Sequence, residues 1–401
     1  MLYKEVENRK RILMVNHSPE RFGGANDDYL RLLKHLRSFR NRFHITALIP
    51  KGTPPDLYSE YCDEVIYYTQ GFFPVTARKI TEYLGFLKVF GAQRAELRRI
   101  LHDNKYDIAV LNVVVMGWIA KILHHSCRQL VFIRETILPD PVRKLYYRIF
   151  ARFGDFYIAV SRTIETDYIE LTGRSNILTL NSAVESHDEH YHYSSEWKDF
   201  ITENGYEFLN DNQEKVFFCL GALCERKNQT LILEAVKKMT EEYSGKMPHF
   251  VFIGDDSEGE YKRRMESFIV QNDLGNYCHL TGPLPRNLFY NQLERVSGII
   301  ISSKSEGLPL VISEALRFGA PLITTAVGGI RDVIKHNVNG LIIENNVKSL
   351  RDAIERLLED DSLSRKLSEN GKLTFESEFN LDNNLGRFVE IVDGIIDSPK
   401  L

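Results

Sequence analysis

Short apolar runs alternate with helical spacings along this chain, break off once, and then start again. Arg11–Asn16, Ile45–Ile49, Glu64–Tyr68, Asp107–Asn112, Gln129–Ile133 and Phe156–Val160 read as strands. Helical spacing falls between them at Tyr29, Leu32, Leu33 and Leu36, over residues 76–102, and after Gly117. Strands alternating with helices imply a parallel, doubly wound sheet. Residues 185–214, rich in His, Glu, Asp, Asn and Ser, interrupt the rhythm and read as a linker. Strands then recur at Val216–Leu220, Phe250–Gly254, His279–Thr281, Gly298–Ser302, Pro321–Thr324 and Gly340–Ile343. The intervening helices fall at about 229–240, 259–272, 286–296, 309–318, 330–336, 348–359 and 362–375, and the tail over about 380–396 also reads as helical. The expected fold class is therefore α/β, with two Rossmann-like doubly wound domains.

The size agrees. A chain of 401 residues with 43% hydrophobic content can build two ordinary cores. Its charge is uneven: residues 1–190 carry a net +5 and residues 191–401 a net −9, together the overall −4. A basic first half suits an anionic partner or surface. Five scattered cysteines (62, 127, 219, 224, 278) indicate neither a disulfide framework nor a zinc site, and fit a reducing cytosol. The first ten residues are too polar for a signal peptide, and the most apolar stretch, Ile108–Ile122, is too short to span a bilayer. The expectation is a cytoplasmic protein that at most touches the inner face of a membrane.

The most informative local stretch is Ser305-Glu306-Gly307-Leu308-Pro309-Leu310-Val311-Ile312-Ser313-Glu314-Ala315. Glu306 sits in a Gly/Pro turn after a strand, and Glu314 inside an amphipathic helix. Pro309 suits the first helical position and Gly319 the left-handed cap that ends the helix. A strand–loop–helix junction of this kind aims backbone N–H groups at one spot and favours an anion there. A carboxylate before the helix and another about a turn inside it could grip hydroxyls of a ligand whose phosphates lie on the helix tip. Gly221-Ala-Leu-Cys-Glu-Arg226-Lys227-Asn228 forms a second junction. Gly221 permits close backbone approach, and Arg226 and Lys227 are cations at a helix start, where the dipole disfavours them unless an anion arrives.

In order, Glu-Gly-Leu-Pro-Leu, Glu-Ala-Leu, Gly319–Thr325 and Val327-Gly328-Gly329-Ile330 resemble the donor-site signature of the retaining glycosyltransferases of family 4, glycosyltransferase group 1, which have the GT-B fold. The likeness is specific over about residues 216–345. It implies an N-terminal acceptor-binding domain (1–184, completed by a crossover helix at about 380–401), the linker 185–214, and a nucleotide-sugar-binding domain (215–379) facing the first across a cleft. It implies that Arg226 and Lys227 hold the donor diphosphate, that Glu314 binds ribose hydroxyls, and that Glu306 lies near the donor sugar. Gly24, Gly221, Gly307, Leu308, Pro309 and Leu310 complete the implied donor site, with Arg226, Lys227 and Glu306 as its catalytic set. Asp255-Asp256 reads as a loop pair near the base or a cap, and no Asp-x-Asp clamp stands out. No metal and no cofactor beyond the nucleotide-sugar co-substrate, of UDP or GDP type, are expected.

In the first half, Gly23-Gly24-Ala25-Asn26 resembles the glycine loop that faces the donor phosphates. One departure stands out. Where many relatives end a strand in a His-Asp or Glu-His pair, this chain has Arg134-Glu135. Arg134 could bind a phosphate or an anionic sugar there, which leaves the acceptor or donor-sugar side (Asn26, Arg134, Glu135) open. Ser161-Arg162 and Asn181 match family positions at the domain junction, with capping and hinge structure the simpler reading.

Residues 76–101 and 143–153 mix cations with aromatics. Basic amphipathic helices can lie on anionic membranes and suit a lipid-linked acceptor, although surface helices packing their aromatics inward give the same pattern. No nucleic-acid module is evident. The leading expectation is a metal-independent, retaining transferase acting on a saccharide, lipid-linked or other glycoconjugate acceptor in polysaccharide or glycoconjugate assembly. The alternatives are a non-catalytic nucleotide-sugar-binding relative and a GT-B sugar-nucleotide epimerase or phosphorylase.

Overall fold

The computed structural model describes residues 9–18, 24–54, 56–69, 91, 93–101, 104–134, 141–182, 195–256, 259–284 and 286–398. The chain divides into two compact units, Met1–Ala183 with Asp382–Leu401 and Val184–Leu381.

Among the described residues, the first unit is built on seven strands: β1 (Lys10–Val15), β2 (Phe43–Pro50), β3 (Glu64–Tyr68), β4 (Ile108–Leu111), β5 (Arg128–Ile133), β6 (Phe156–Ala159) and β7 (Ile177–Thr179). Their order is β3-β2-β1-β4-β5-β6-β7, and every pairing is parallel. β1, β4 and β5 are buried along most of their length, as parallel strands covered on both faces must be. The last helix, Leu381–Asp397, packs on this unit: Phe388 lies 6.0 Å from the Phe132 ring, and Lys10 pairs with Asp393 and Asp397.

The second unit carries β8 (Val216–Leu220), β9 (His249–Ile253), β10 (Cys278–Gly282), β11 (Gly298–Ile301), β12 (Leu322–Thr325) and β13 (Leu341–Ile343), in the parallel order β10-β9-β8-β11-β12-β13. Phe217, Phe250, Phe252, Ile300 and Ile323 form its core with Leu233, Val236 and Met239 of the Gln229–Glu242 helix.

Three features differ from the sequence reading. The stretch read as linker holds a helix, Ser195–Asn204, and a 3-10 turn, Glu207–Asn210, with Trp197 only 1% exposed. Its polar composition hides one large apolar anchor. Strand β7 and the helix Arg162–Thr172 were not anticipated, and Ser161 caps that helix by accepting the Ile164 N–H. Pro309 is extended (φ −71°, ψ 137°) and is the N-cap of the helix Leu310–Phe318 rather than its first residue. Gly319 ends that helix in the left-handed conformation, as expected.

Both sheets reverse direction in their winding between two central strands, β1/β4 in the first and β8/β11 in the second. In open α/β sheets, ligands bind beyond the carboxyl ends of the strands at such a switch point. The loops leaving those four strands are therefore where a site is expected.

Candidate nucleotide-sugar site

In the second unit the loops after β8 and β11 are stitched together. Ser302 Oγ donates to the carbonyls of Lys227 and Asn228, each at 3.0 Å, and the Lys304 N–H donates to the Arg226 carbonyl at 2.8 Å. This brings both cations to Glu306, whose side chain is 6% exposed. Lys227 Nζ lies 2.6 Å from Oε1, Arg226 Nη1 lies 2.8 Å from Oε2, and Ser303 Oγ donates to Oε1 at 2.7 Å. Arg226 also donates to the Ser305 carbonyl. Burial by itself would raise the Glu306 carboxyl, but Lys227, Arg226 and the hydrogen bonds of Lys227 and Ser303 outweigh it and hold it below its usual range. Glu306 is thus an ionised anchor for the two cations, and the trio keeps one net positive charge.

That charge borders the start of the Leu310–Phe318 helix, where the Ile312 N–H donates to the Pro309 carbonyl at 2.9 Å and the Leu310 and Val311 N–H groups precede the first bond of the helix. Cations beside a helix N-terminus are unfavourable unless an anion joins them, so the arrangement is suited to a phosphate. Two glycines make the geometry possible. Gly221, beside the Lys227 side chain, holds φ +130°, a backbone conformation that residues with a Cβ rarely adopt. Gly328, at φ +53°, lies against the Glu306 turn, where a Cβ would fall 1.7 Å from the Glu306 carbonyl oxygen. The adjacent Gly329 N–H donates to the Gly307 carbonyl at 2.6 Å. The Gly-Gly pair therefore shapes the loop Glu306-Gly307-Leu308-Pro309 from outside it. Glu314 is 1% exposed in the second turn of the helix and accepts a 2.6 Å hydrogen bond from the Tyr290 hydroxyl. Asp256 accepts the Lys262 N–H at 3.0 Å, a helix-capping role.

The first unit holds a second polar cluster at its own switch point. Asn112, after β4, donates to Asn16 Oδ1 after β1 at 3.0 Å and to the Ala25 carbonyl at 3.1 Å. Arg134, after β5, donates through Nε to the Asn112 carbonyl and Oδ1, pairs with Asp28, and stacks on the Phe132 ring at 4.2 Å. Ser182 donates to Asp28 at 3.2 Å. Gly24 begins the Gly24–Ser38 helix, and Asn26 lies buried in its first turn. Burial first, and then the Arg134 charge, press His17 down to about 4, so it is neutral near pH 7. Arg134 is thus matched by an internal carboxylate. Glu135 lies outside the described residues.

The structure gathers Gly221, Arg226, Lys227, Glu306, Gly307, Leu308, Pro309 and Leu310 around one junction, with Glu314 further along the helix. Separately, in the first unit, it gathers Asn26 and Arg134 around Asn112. Ser303, Tyr290, Asp28, Asn16 and Asn112 were not singled out from sequence, and Gly328 only as part of the Val327-Gly328-Gly329-Ile330 stretch. The two asparagines do leave a signal, since each follows the last apolar residue of a central strand. Among the described residues, no group of three or more His, Cys, Asp or Glu is placed to hold a metal ion.

Known proteins resemble this chain in sequence and in fold. The family of glycosyl transferases, group 1, matches residues 202–374. An uncharacterized glycosyltransferase of Methanocaldococcus jannaschii is 29% identical over 154 residues, 38% of this chain and 41% of that protein. The UDP-Gal:alpha-D-GlcNAc-diphosphoundecaprenol alpha-1,3-galactosyltransferase of Escherichia coli is 27% identical over 184 residues, 45% of this chain and 46% of that protein. Each match thus spans less than half of the relative. Anabaena HepE, solved with UDP and glucose, superposes with a TM-score of 0.77 at 17% identity, covering 96% of this chain and all of that one. The fold is GT-B. Over residues 202–374, within the second unit, the chain is similar to the group 1 glycosyl transferases.

Proposed function

We propose that the protein moves a glycosyl group from a nucleoside diphosphate sugar to a saccharide, lipid-linked or other glycoconjugate acceptor, with retention of anomeric configuration and without a metal. The observation that carries this reading is the Arg226–Glu306–Lys227 trio at the start of the Leu310–Phe318 helix. Cleavage of the bond between the anomeric carbon and the phosphate oxygen leaves negative charge on the departing nucleotide. Preorganised cations and helix amides stabilise that charge most where water is scarce. Arg226 offers a planar fork and Lys227 a compact charge. The acceptor hydroxyl attacks from the face the phosphate leaves, and its proton passes to the departing phosphate oxygen, so no side-chain base is required. Glu306, ionised and occupied by its cations, acts by holding them. Glu314 takes the ribose hydroxyls.

The bases carried by the UDP complex of HepE and the UDP-Gal donor of the E. coli relative favour UDP over GDP as the first donor to try. The diphosphoundecaprenol acceptor of the latter favours a lipid-linked saccharide and a place in polysaccharide or glycoconjugate assembly. One surface fits such an acceptor. On the Pro141–Phe150 helix, Tyr146 and Tyr147 pack inward, while Leu145 (58% exposed) and Ile149 (41%) face outward with Arg148. An apolar pair flanked by cations matches an anionic lipid face. Among the described residues no helix is long and apolar enough to cross a membrane, so the contact proposed is peripheral.

The test is donor turnover. UDP- and GDP-sugars are incubated with the protein, and the released nucleotide and the first-formed anomer of the transferred or hydrolysed sugar are followed by NMR, with and without EDTA. Retention with EDTA-insensitive release is expected; inversion, or release that EDTA abolishes, contradicts the reading.

A further inference from the structure

The nucleotide reading leaves one buried aromatic without a task. Tyr290, on the Arg286–Leu293 helix, is 2% exposed, and its hydroxyl donates to Glu314 Oε1 at 2.6 Å. That length is the short range of a hydroxyl bonded to a carboxylate, a charge-assisted bond. The ring itself is held: Phe318, one turn beyond Glu314, lies 5.1 Å from it at a tilt, and Phe289 meets it edge-on at 5.4 Å. Arg317 in turn covers the Phe318 face at 4.7 Å. A tyrosine clamped on two sides delivers its proton to one fixed point, so the Glu314 carboxylate plane is fixed with it.

We infer that Tyr290 is a positioning residue that sets the ribose specificity of the site by locking the orientation of Glu314. The inference rests on the nucleotide reading above. The helix rises about 1.5 Å per residue, which places Glu314 about 6 Å below the helix start, a phosphate-to-sugar step away from an anion at the tip. A vicinal diol offers two donors to one carboxylate. If the carboxylate cannot rotate, losing one hydroxyl leaves a buried acceptor unsatisfied, and sites of that kind reject the deoxy analogue strongly. A carboxylate free to turn would recover part of the loss and discriminate less.

The experiment measures binding of UDP, GDP and ADP, and of their 2′-deoxy counterparts, to the full chain and to Tyr290→Phe. The wild-type protein should prefer the ribonucleotide it binds by about tenfold or more over the deoxy form, a factor worth one such hydrogen bond. Tyr290→Phe removes a buried donor from Glu314, so its ligand-free melting temperature should fall modestly while it still folds, and it should lose at least about threefold of that preference. In a Glu314→Gln background, adding Tyr290→Phe should leave the preference unchanged. Should Tyr290→Phe not fold, Phe318→Leu keeps the hydroxyl, loosens the clamp, and should lower the same ratio. A ratio unchanged in the variant that folds overturns the role of Tyr290 while leaving the nucleotide site standing. A wild-type protein that binds none of the six nucleotides overturns the nucleotide reading itself.

Discussion

Lys227 and Glu306 meet at 2.6 Å with side chains only 13% and 6% exposed, whereas Arg226, on the other oxygen of the same carboxylate, is 49% exposed. One carboxylate thus holds a buried cation and a solvent-facing one. The two cations should behave differently when removed.

Lys227→Met strands a buried carboxylate with one fewer partner and should cost about 3 kcal/mol of stability in addition to donor binding. Arg226→Ala removes the exposed partner and should cost less than about 1 kcal/mol while still weakening donor binding. Denaturant titration of both variants beside nucleotide titration checks this. Equal destabilisation by the two would mean that Lys227 is not the structural partner of Glu306.

Gly328→Ala places a methyl group into the Glu306 carbonyl from a left-handed backbone position. Backbone must move, so stability should fall by about 3 kcal/mol or more and nucleotide binding should fall with it. Gly275→Ala, where a Cβ meets nothing within 4 Å, is the control. A Gly328→Ala protein with unaltered nucleotide affinity would show that the turn does not need this approach.

Arg134 and Asp28 form a nearly buried pair, with side chains 7% and 9% exposed. Removing one member leaves the other charge unmatched. Arg134→Met alone should destabilise the chain by about 3 kcal/mol, and adding Asp28→Asn should restore part of that loss. Additive losses in the double-mutant cycle would instead favour an Arg134 whose main partner is a bound anion.

Burial, and then the neighbouring His249, hold His279 down to about 4 from an unfolded value near 6.5. Its folded value is depressed, so the unfolded chain binds more protons between those limits, and stability falls as pH drops from about 6.5 to 4. His279→Gln should flatten the pH dependence of the unfolding midpoint across that window. An unchanged slope would assign it elsewhere, for example to His17, which is depressed in the same way.

Much of this architecture was legible because parallel strands buried on both faces appear as plain apolar runs, as in Ile108–Leu111 and Gly298–Ile301. Strand β7 escaped because it is three residues long and Leu178 within it is exposed. The helix Ser195–Asn204 escaped because its polar residues outvote Trp197. At the site, Arg226, Lys227, Glu306 and Glu314 carry their chemistry in residue type and spacing. Tyr290, Ser303 and Asp28 do not. Tyr290 reaches Glu314 across 24 positions and Asp28 reaches Ser182 across 154, and only the folded chain defines those pairs.

The measurement closest to the central claim is a thermal-shift series with UDP, GDP, ADP and their sugar conjugates on the wild-type chain and on Glu314→Ala. A ligand that binds only the folded state raises the melting temperature. The account predicts a rise with nucleotides of one base, carried by the diphosphate as well as by its sugar conjugate, and lost or much reduced in Glu314→Ala. No rise with any of them, or a rise that Glu314→Ala fully retains, would contradict it.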